Sequence, residues 1–195
     1  RASDKRLVVW PIRMSKAGVA SMGKPIDSGV DLRRANLILK AGDWNRDGYG
    51  DVIMRRRNGT LVLFLGDGAG RFPKKVRLGG KAFRNVTLLS AVGDMTGDGW
   101  PDLMGQYQGK MWIWTGAGAK ALSTTYVAYR GVSARQQTGV GRWDADGAPD
   151  TLIRRGTKLY SLAGNGPGGL TRVLSVPGVN LRSYDWIVGT SDLSL

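Results

Sequence analysis

Three short segments hold most of the residues in this chain that could do chemistry. From Gly42 the sequence reads GDWNRDGYGDVI, from Gly93 GDMTGDGWPDLM and from Gly141 GRWDADGAPDTL. In the first, Asp43, Asn45, Asp47 and Asp51, with the carbonyl of Tyr49, set oxygens at every second residue. Oxygens so spaced converge on one hard cation where a glycine, here Gly48, lets the chain turn sharply. An all-oxygen set selects Ca²⁺ over Zn²⁺ or Cu²⁺. The second segment repeats the pattern with Asp94, Thr96, Asp98, Asp102 and the carbonyl of Trp100. An EF-hand would need a bidentate glutamate at the twelfth position, where Met54 and Gly105 stand, so that reading is excluded. In the third segment Arg142 takes the place of the first aspartate, ahead of Asp144, Asp146 and Asp150. A guanidinium there can replace the cation by ion pairing. The expectation is structural Ca²⁺ in the first two loops and a third loop empty or nearly so. The alternative is metal-free turns pinned by Asp and Asn side chains.

Other chemistry is limited by what the chain lacks. It has no histidine, cysteine or glutamate, and all 15 acidic residues are aspartates. Imidazole and thiolate catalysis, disulfides and iron–sulfur clusters are therefore excluded, and no catalytic constellation emerges from the remainder. The chain reads as a non-enzyme. With 29 Lys and Arg its formal charge is +14, which makes the surface outside the aspartate loops strongly cationic. The runs Arg55-Arg56-Arg57 and Arg154-Arg155 stand at matching positions after the first and third aspartate loops respectively. They read either as solvated hairpin tips or as a site for an anionic polymer such as teichoic acid, acidic polysaccharide, anionic lipid or nucleic acid. Nucleic acid is the weaker choice, because the runs lack regular aromatic stacking partners. Among seven tryptophans, Trp10, Trp112, Trp114 and Trp186 read as core. Trp44 and Trp143 share the second position of their loops, and Trp100 shares the seventh with Tyr49. Such loop aromatics either staple the loop to its neighbour or stack on sugar rings.

The loops recur with a period, and the period defines the elements around them. Their first glycines lie 51 and 48 residues apart, and a further 48 residues reach Gly189, which opens the shortened copy GTSDL. Ahead of the loops stand apolar stretches, Leu37-Ile38-Leu39, Leu88-Leu89 and, before the fourth, Trp186-Ile187-Val188. After them come short strands such as Asp51–Met54 and Asp102–Met104, a polar turn, then Leu61–Phe64, Met111–Trp114 or Leu159–Leu162. A glycine-rich turn and a weaker strand such as Lys75–Leu78 close each repeat. Four strands in about 48 residues is the size of a propeller blade. No long helical period occurs, so the expected class is all-β.

The run Phe64-Leu65-Gly66-Asp67-Gly68-Ala69-Gly70-Arg71-Phe72, with the aspartate-rich loops, resembles the FG-GAP/VCBS repeat. That family includes integrin α-subunit propellers, some fungal lectins and domains of secreted bacterial proteins. The resemblance implies a β-propeller of about four blades over residues 1–195, with structural Ca²⁺ bracing the loops. It also implies a secreted binding module for a cell-surface glycan or anionic polymer, with Arg55, Arg56, Arg57, Arg154, Arg155 and Trp100 as ligand candidates. The alternative is a protein–protein interaction subunit of a larger assembly. Leu193-Ser194-Leu195 is expected beside Leu7-Val8-Val9-Trp10, so that the two ends share one blade and close the ring. The competing reading is a piece of a larger propeller. No apolar run is long enough to span a bilayer as a helix.

Overall fold

The computed structural model describes residues 5–143, 146–166 and 169–187. Among them there is no α-helix; the one helical element is a 3₁₀ turn at Lys81–Asn85. The strands are β1 (Arg6–Val9), β2 (Ile12–Met14), β3 (Ala20–Met22), β4 (Ile26–Asp31), β5 (Ala35–Gly42), β6 (Asp51–Arg56), β7 (Leu61–Leu65) and β8 (Lys74–Gly79). They continue as β9 (Thr87–Gly93), β10 (Asp102–Tyr107), β11 (Lys110–Trp114), β12 (Thr125–Arg130), β13 (Gln136–Gly141), β14 (Asp150–Arg155), β15 (Lys158–Gly164) and β16 (Leu170–Ser175). Three antiparallel four-stranded meanders succeed one another: β5–β8, β9–β12 and β13–β16. The expected all-β class and the phase of the repeat hold. In each meander the glycine that opens the loop pairs with the aspartate that ends it: Gly42 with Asp51, Gly93 with Asp102 and Gly141 with Asp150.

Ahead of them β1 pairs with β4, and the connection between those two strands forms a separate hairpin, β2–β3. By its connections this pair matches the third and fourth strands of a meander. The hairpin stands where the glycine-rich turn stands elsewhere, and sequence patterning did not reveal it. Its residues Ile12, Met14 and Met22 are exposed, because nothing among the described residues packs on them.

The second strand of each meander is apolar on both faces, as a strand covered on both sides must be. Two residues after the loop-ending aspartate, Ile53, Met104 and Leu152 face the next element along the chain. One or three residues after it, Leu103, Met54 and Ile153 face the preceding sheet. Ile53 and Leu103 therefore meet in one core with Leu61, Leu63, Phe83 and Leu89. Met104 and Ile153 meet in the next, with Met111, Ile113 and Leu162. Met54, Val62 and Phe64 pack toward β1 and β4 through Val30 and Leu7. Leu152 and Leu159 pack on the segment after β16, through Leu181, Val179 and Ile187.

The structure corrects two expectations. Trp186-Ile187-Val188 was expected as a strand, yet Trp186 and Ile187 belong to none, and Val188 lies outside the described residues. Trp186 and Trp10, expected in the core, are 77% and 46% exposed, because no described strand covers either. The short fourth loop at Gly189 and the pairing of Leu193-Ser194-Leu195 also lie outside the described residues.

Candidate functional site

The aspartate loops and the glycine-rich turns lie at one end of the meanders, and they are tied together by one repeated device. Asp51 accepts the Trp44 N–H at 3.0 Å on one oxygen and the Gly66 N–H at 2.9 Å on the other. Asp102 does the same with Met95 and Gly116, and Asp150 with Trp143 and Gly164. All three carboxylates are buried. Each clamps the start of its own loop to the turn after the third strand. The turn position admits only glycine. A Cβ would stand 2.3 Å from the Gly50 carbonyl oxygen at Gly66, 2.0 Å from that of Pro101 at Gly116 and 2.3 Å from that of Pro149 at Gly164.

The remaining loop carboxylates turn back on the loop itself. Asp43 accepts the N–H groups of Asp47 and Gly48 at 3.0 and 2.9 Å, and Asp47 accepts that of Tyr49 at 3.0 Å. Asn45 donates its side-chain amide to Asp47. In the second loop Asp94 accepts from Gly97 and Gly99, and Asp98 from Trp100. Among the described residues the acids are not gathered into a set of three around one point. Their chemistry nevertheless suits a hard divalent ion, because the side-chain and carbonyl donors are all oxygens. Burial pushes Asp102 up to about 6, with Asp98 adding to the rise and the Gly116 and Thr96 amides opposing it. Asp51 is raised by burial as well. In the third loop Arg142 is exposed and Asp146 accepts the Ala148 N–H, while Asp144 lies outside the described residues.

Three of the four loop aromatics, Trp44, Tyr49 and Trp100, pack on other segments. Trp44 is fully buried, and its indole N–H donates to the Gly118 carbonyl of the next meander at 3.0 Å. Met95 occupies the same loop position one repeat later and is likewise buried against the following sheet. Trp143, the third member, is 54% exposed, because no described meander comes after it. Tyr49 lies over Gly68 and Trp100 over Gly118, so close that a Cβ on either glycine would enter the ring. Arg46 stacks on the Trp100 ring at 5.0 Å and links two successive loops. At the third equivalent position Ala148 is too small to fill the gap. A cavity of about 510 Å³ opens there, lined by Asp146, Asn165, Thr171 and Arg172 among others.

The arginine runs divide into two roles. Arg55 donates to the carbonyls of Phe83 and Val86 and to Asn36, and burial lowers its pKa. Arg154, buried, donates to the carbonyls of Gly156, Leu181 and Tyr184. Gln106, at the same register, accepts the Val132 N–H at 2.8 Å. Position four after the clamp aspartate thus fastens each meander to the segment beyond its last strand, so Arg55 and Arg154 are not free hairpin-tip charges. Arg155 stacks on Tyr160 at 5.0 Å. Arg56 and Arg57 line a cleft at the other end of the sheets.

The family model described as an FG-GAP-like repeat matches residues 43–105. That stretch of the chain is similar to an FG-GAP-like repeat. The matched stretch begins at Asp43, runs through the first meander and its successor's loop, and ends at Gly105 in β10. No protein of curated function matches the chain in sequence. Among solved structures, the chain superposes on an Agrocybe aegerita lectin described as recognising non-reducing terminal N-acetylglucosamine. The TM-score is 0.57 at 17% identity, over 88% of this chain and 46% of the lectin. A Photorhabdus luminescens Tc holotoxin pore matches with a TM-score of 0.42 at 14% identity, over 90% of this chain and 11% of that one. The chain therefore spans less than half the length of either. The likeness to the lectin is one of fold.

Proposed function

We infer that the meanders are blades of a β-propeller and that the chain is a secreted recognition module, stabilised by calcium and specific for carbohydrate. The carrying observation is the fold shared with a sugar-recognising lectin over most of the chain. The loop end supports it. Its scaffold of clamps is rigid, and the third loop leaves an open polar cavity with the exposed Trp143 in the same loop. Calcium would be held by Asp43, Asn45, Asp47, Asp51 and the Tyr49 carbonyl, and by Asp94, Thr96, Asp98, Asp102 and the Trp100 carbonyl. The ion would neutralise carboxylates that otherwise repel one another and would stiffen the loops. No catalytic role attaches to these residues. Binding on a glycan array that is lost on Trp143→Ala tests the carbohydrate reading, and an array with no bound glycan overturns it. Chelation should lower the thermal midpoint and added Ca²⁺ restore it; a midpoint indifferent to both rules out calcium as a stabiliser.

A second reading is a protein–protein interaction subunit. The exposed apolar hairpin favours it, since Ile12, Met14 and Met22 form a patch of the kind that protein partners cover. Retention of a partner chain with no glycan bound would establish it.

A further inference from the structure

The end of the meanders opposite the aspartate loops has a separate character. It is formed by the turns between second and third strands and by the segments that join one sheet to the next. Those stretches, 31–35, 56–60, 79–87, 107–110, 130–136, 155–158 and 175–187, carry twelve Lys and Arg against two Asp. The charge is densest where β4 passes into β5 beside the β6–β7 turn. There Arg33, Arg34, Arg56 and Arg57 line two adjoining clefts of about 460 and 300 Å³, with Asp31 and Lys75 in the larger. The two segments are joined through the backbone, the Arg57 N–H donating to the Arg34 carbonyl at 2.9 Å.

The charge in this cleft is not balanced from within. Asp31 is taken by Arg33, at 2.6 Å, in a two-pronged ion pair. Among the described residues Arg34, Arg56 and Arg57 form no ion pair, and Arg56 Nε is buried with no hydrogen-bond partner. Like charges brought together in a concave site repel, and a buried guanidinium nitrogen without an acceptor costs free energy. Both costs are relieved by a bound anion, and the planar guanidinium fork matches the paired oxygens of a carboxylate, sulfate or phosphate. Met54 and Phe64, both buried, lie at the bottom of the larger cleft beneath the charged side chains. On the carbohydrate reading, the anionic group that such a cationic, mostly polar cleft takes is that of an acidic sugar. A single-stranded nucleic acid would require a series of exposed aromatic platforms, which these clefts do not present.

We propose that the cleft formed by Arg33, Arg34, Arg56 and Arg57 is a binding site for an acidic saccharide unit, and that the surrounding basic end docks the rest of an anionic polysaccharide. This rests on the carbohydrate reading and adds to it a place and a ligand charge. Arg55 and Arg154 lie outside the site, being spent on carbonyls between sheets.

The test is affinity for heparin and polygalacturonate at fixed salt, measured on the whole chain. Arg34→Gln/Arg56→Gln/Arg57→Gln should weaken binding by about a hundred-fold, the loss expected for two charge-assisted hydrogen bonds. Arg13→Gln/Lys16→Gln/Lys24→Gln removes the same charge from the β2–β3 region and should change it by less than about three-fold. If the first variant melts early, Arg34→Gln/Arg57→Gln alters only exposed side chains and still lowers affinity. Equal losses in both triple variants would mean attraction by net charge alone and overturn the cleft. Equally tight binding of a single-stranded oligonucleotide, lost with the same arginines, would also overturn the saccharide assignment. Binding of neutral glycans alone would overturn the cleft while leaving the recognition module standing. Binding of no glycan would overturn both.

Discussion

At the residue scale the repeated aspartate at the end of each loop does the most. Asp51, Asp102 and Asp150 each hold a backbone amide from the start of the loop and another from the glycine turn, and Asp102 holds the Thr96 amide as well. Asp51→Ala strands the Trp44 and Gly66 N–H groups and should cost about 3 kcal/mol, measured by urea unfolding. The buried Asp102 also makes stability depend on pH. Its folded value of about 6 lies above its ordinary value of 3.8. Between those values the folded protein holds a proton that the unfolded chain releases. In the calcium-free protein this carboxylate therefore favours folding at acid pH, and its contribution falls as pH rises through about 6. Asp102→Asn should flatten the stability profile between pH 4 and 6 relative to the parent; an unchanged slope there would show that Asp102 does not titrate in that range.

At the element scale the meanders are joined by wedges, each worth as much as the next sheet covers of it. Trp44 and Trp143 hold the same loop position, but the first is fully buried and the second 54% exposed. Trp44→Ala should cost about 4 kcal/mol and Trp143→Ala less than about 1 kcal/mol, in the same unfolding assay. Gly116→Ala probes the turn that Asp102 clamps. Its methyl would stand 2.0 Å from the Pro101 oxygen, so backbone must move and a loss of about 3 kcal/mol is expected. A tolerated alanine would mean that the turn has slack the close approach denies.

At the scale of the whole molecule the cores join sheet to sheet in series. Strands β6, β7, β10 and β11 sit between covered layers, whereas β2 and β3 are exposed on both faces. Native-state hydrogen exchange should be slowest in the former and fastest in the β2–β3 hairpin. Replacing Ile12 and Met22 by serine should change global stability by less than about 0.5 kcal/mol each. Hairpin amides as slow as those of β10 would contradict this ordering. The same scale separates the two ends of the molecule, carboxylate loops at one and unpaired arginines at the other, because antiparallel strands return every second connection to the same end.

Much of this was legible in the residues themselves. The aspartate loops at a near-constant spacing located three meanders and their strand order, because turn chemistry is local: Asp, Asn and Gly impose it wherever they stand. The class of hard-oxygen donors was legible for the same reason. The roles of individual side chains were not. Asp51 reads as a ligand from its spacing, but only the approach of Gly66, fifteen residues on, makes it a clamp. Its persistence in the third loop, where the first aspartate is lost to Arg142, was a signal of that role. Arg55 and Arg56 are adjacent and chemically alike, yet strand alternation turns one toward the carbonyls of the next connection and the other toward the cleft beneath Arg34. Trp186 is apolar and was expected inside, but burial needs a covering element, and none among the described residues supplies it. Local conformation is dictated by residue type and spacing. Burial, partner and charge balance depend on which distant segment arrives alongside, and that is decided only when the sheets pack.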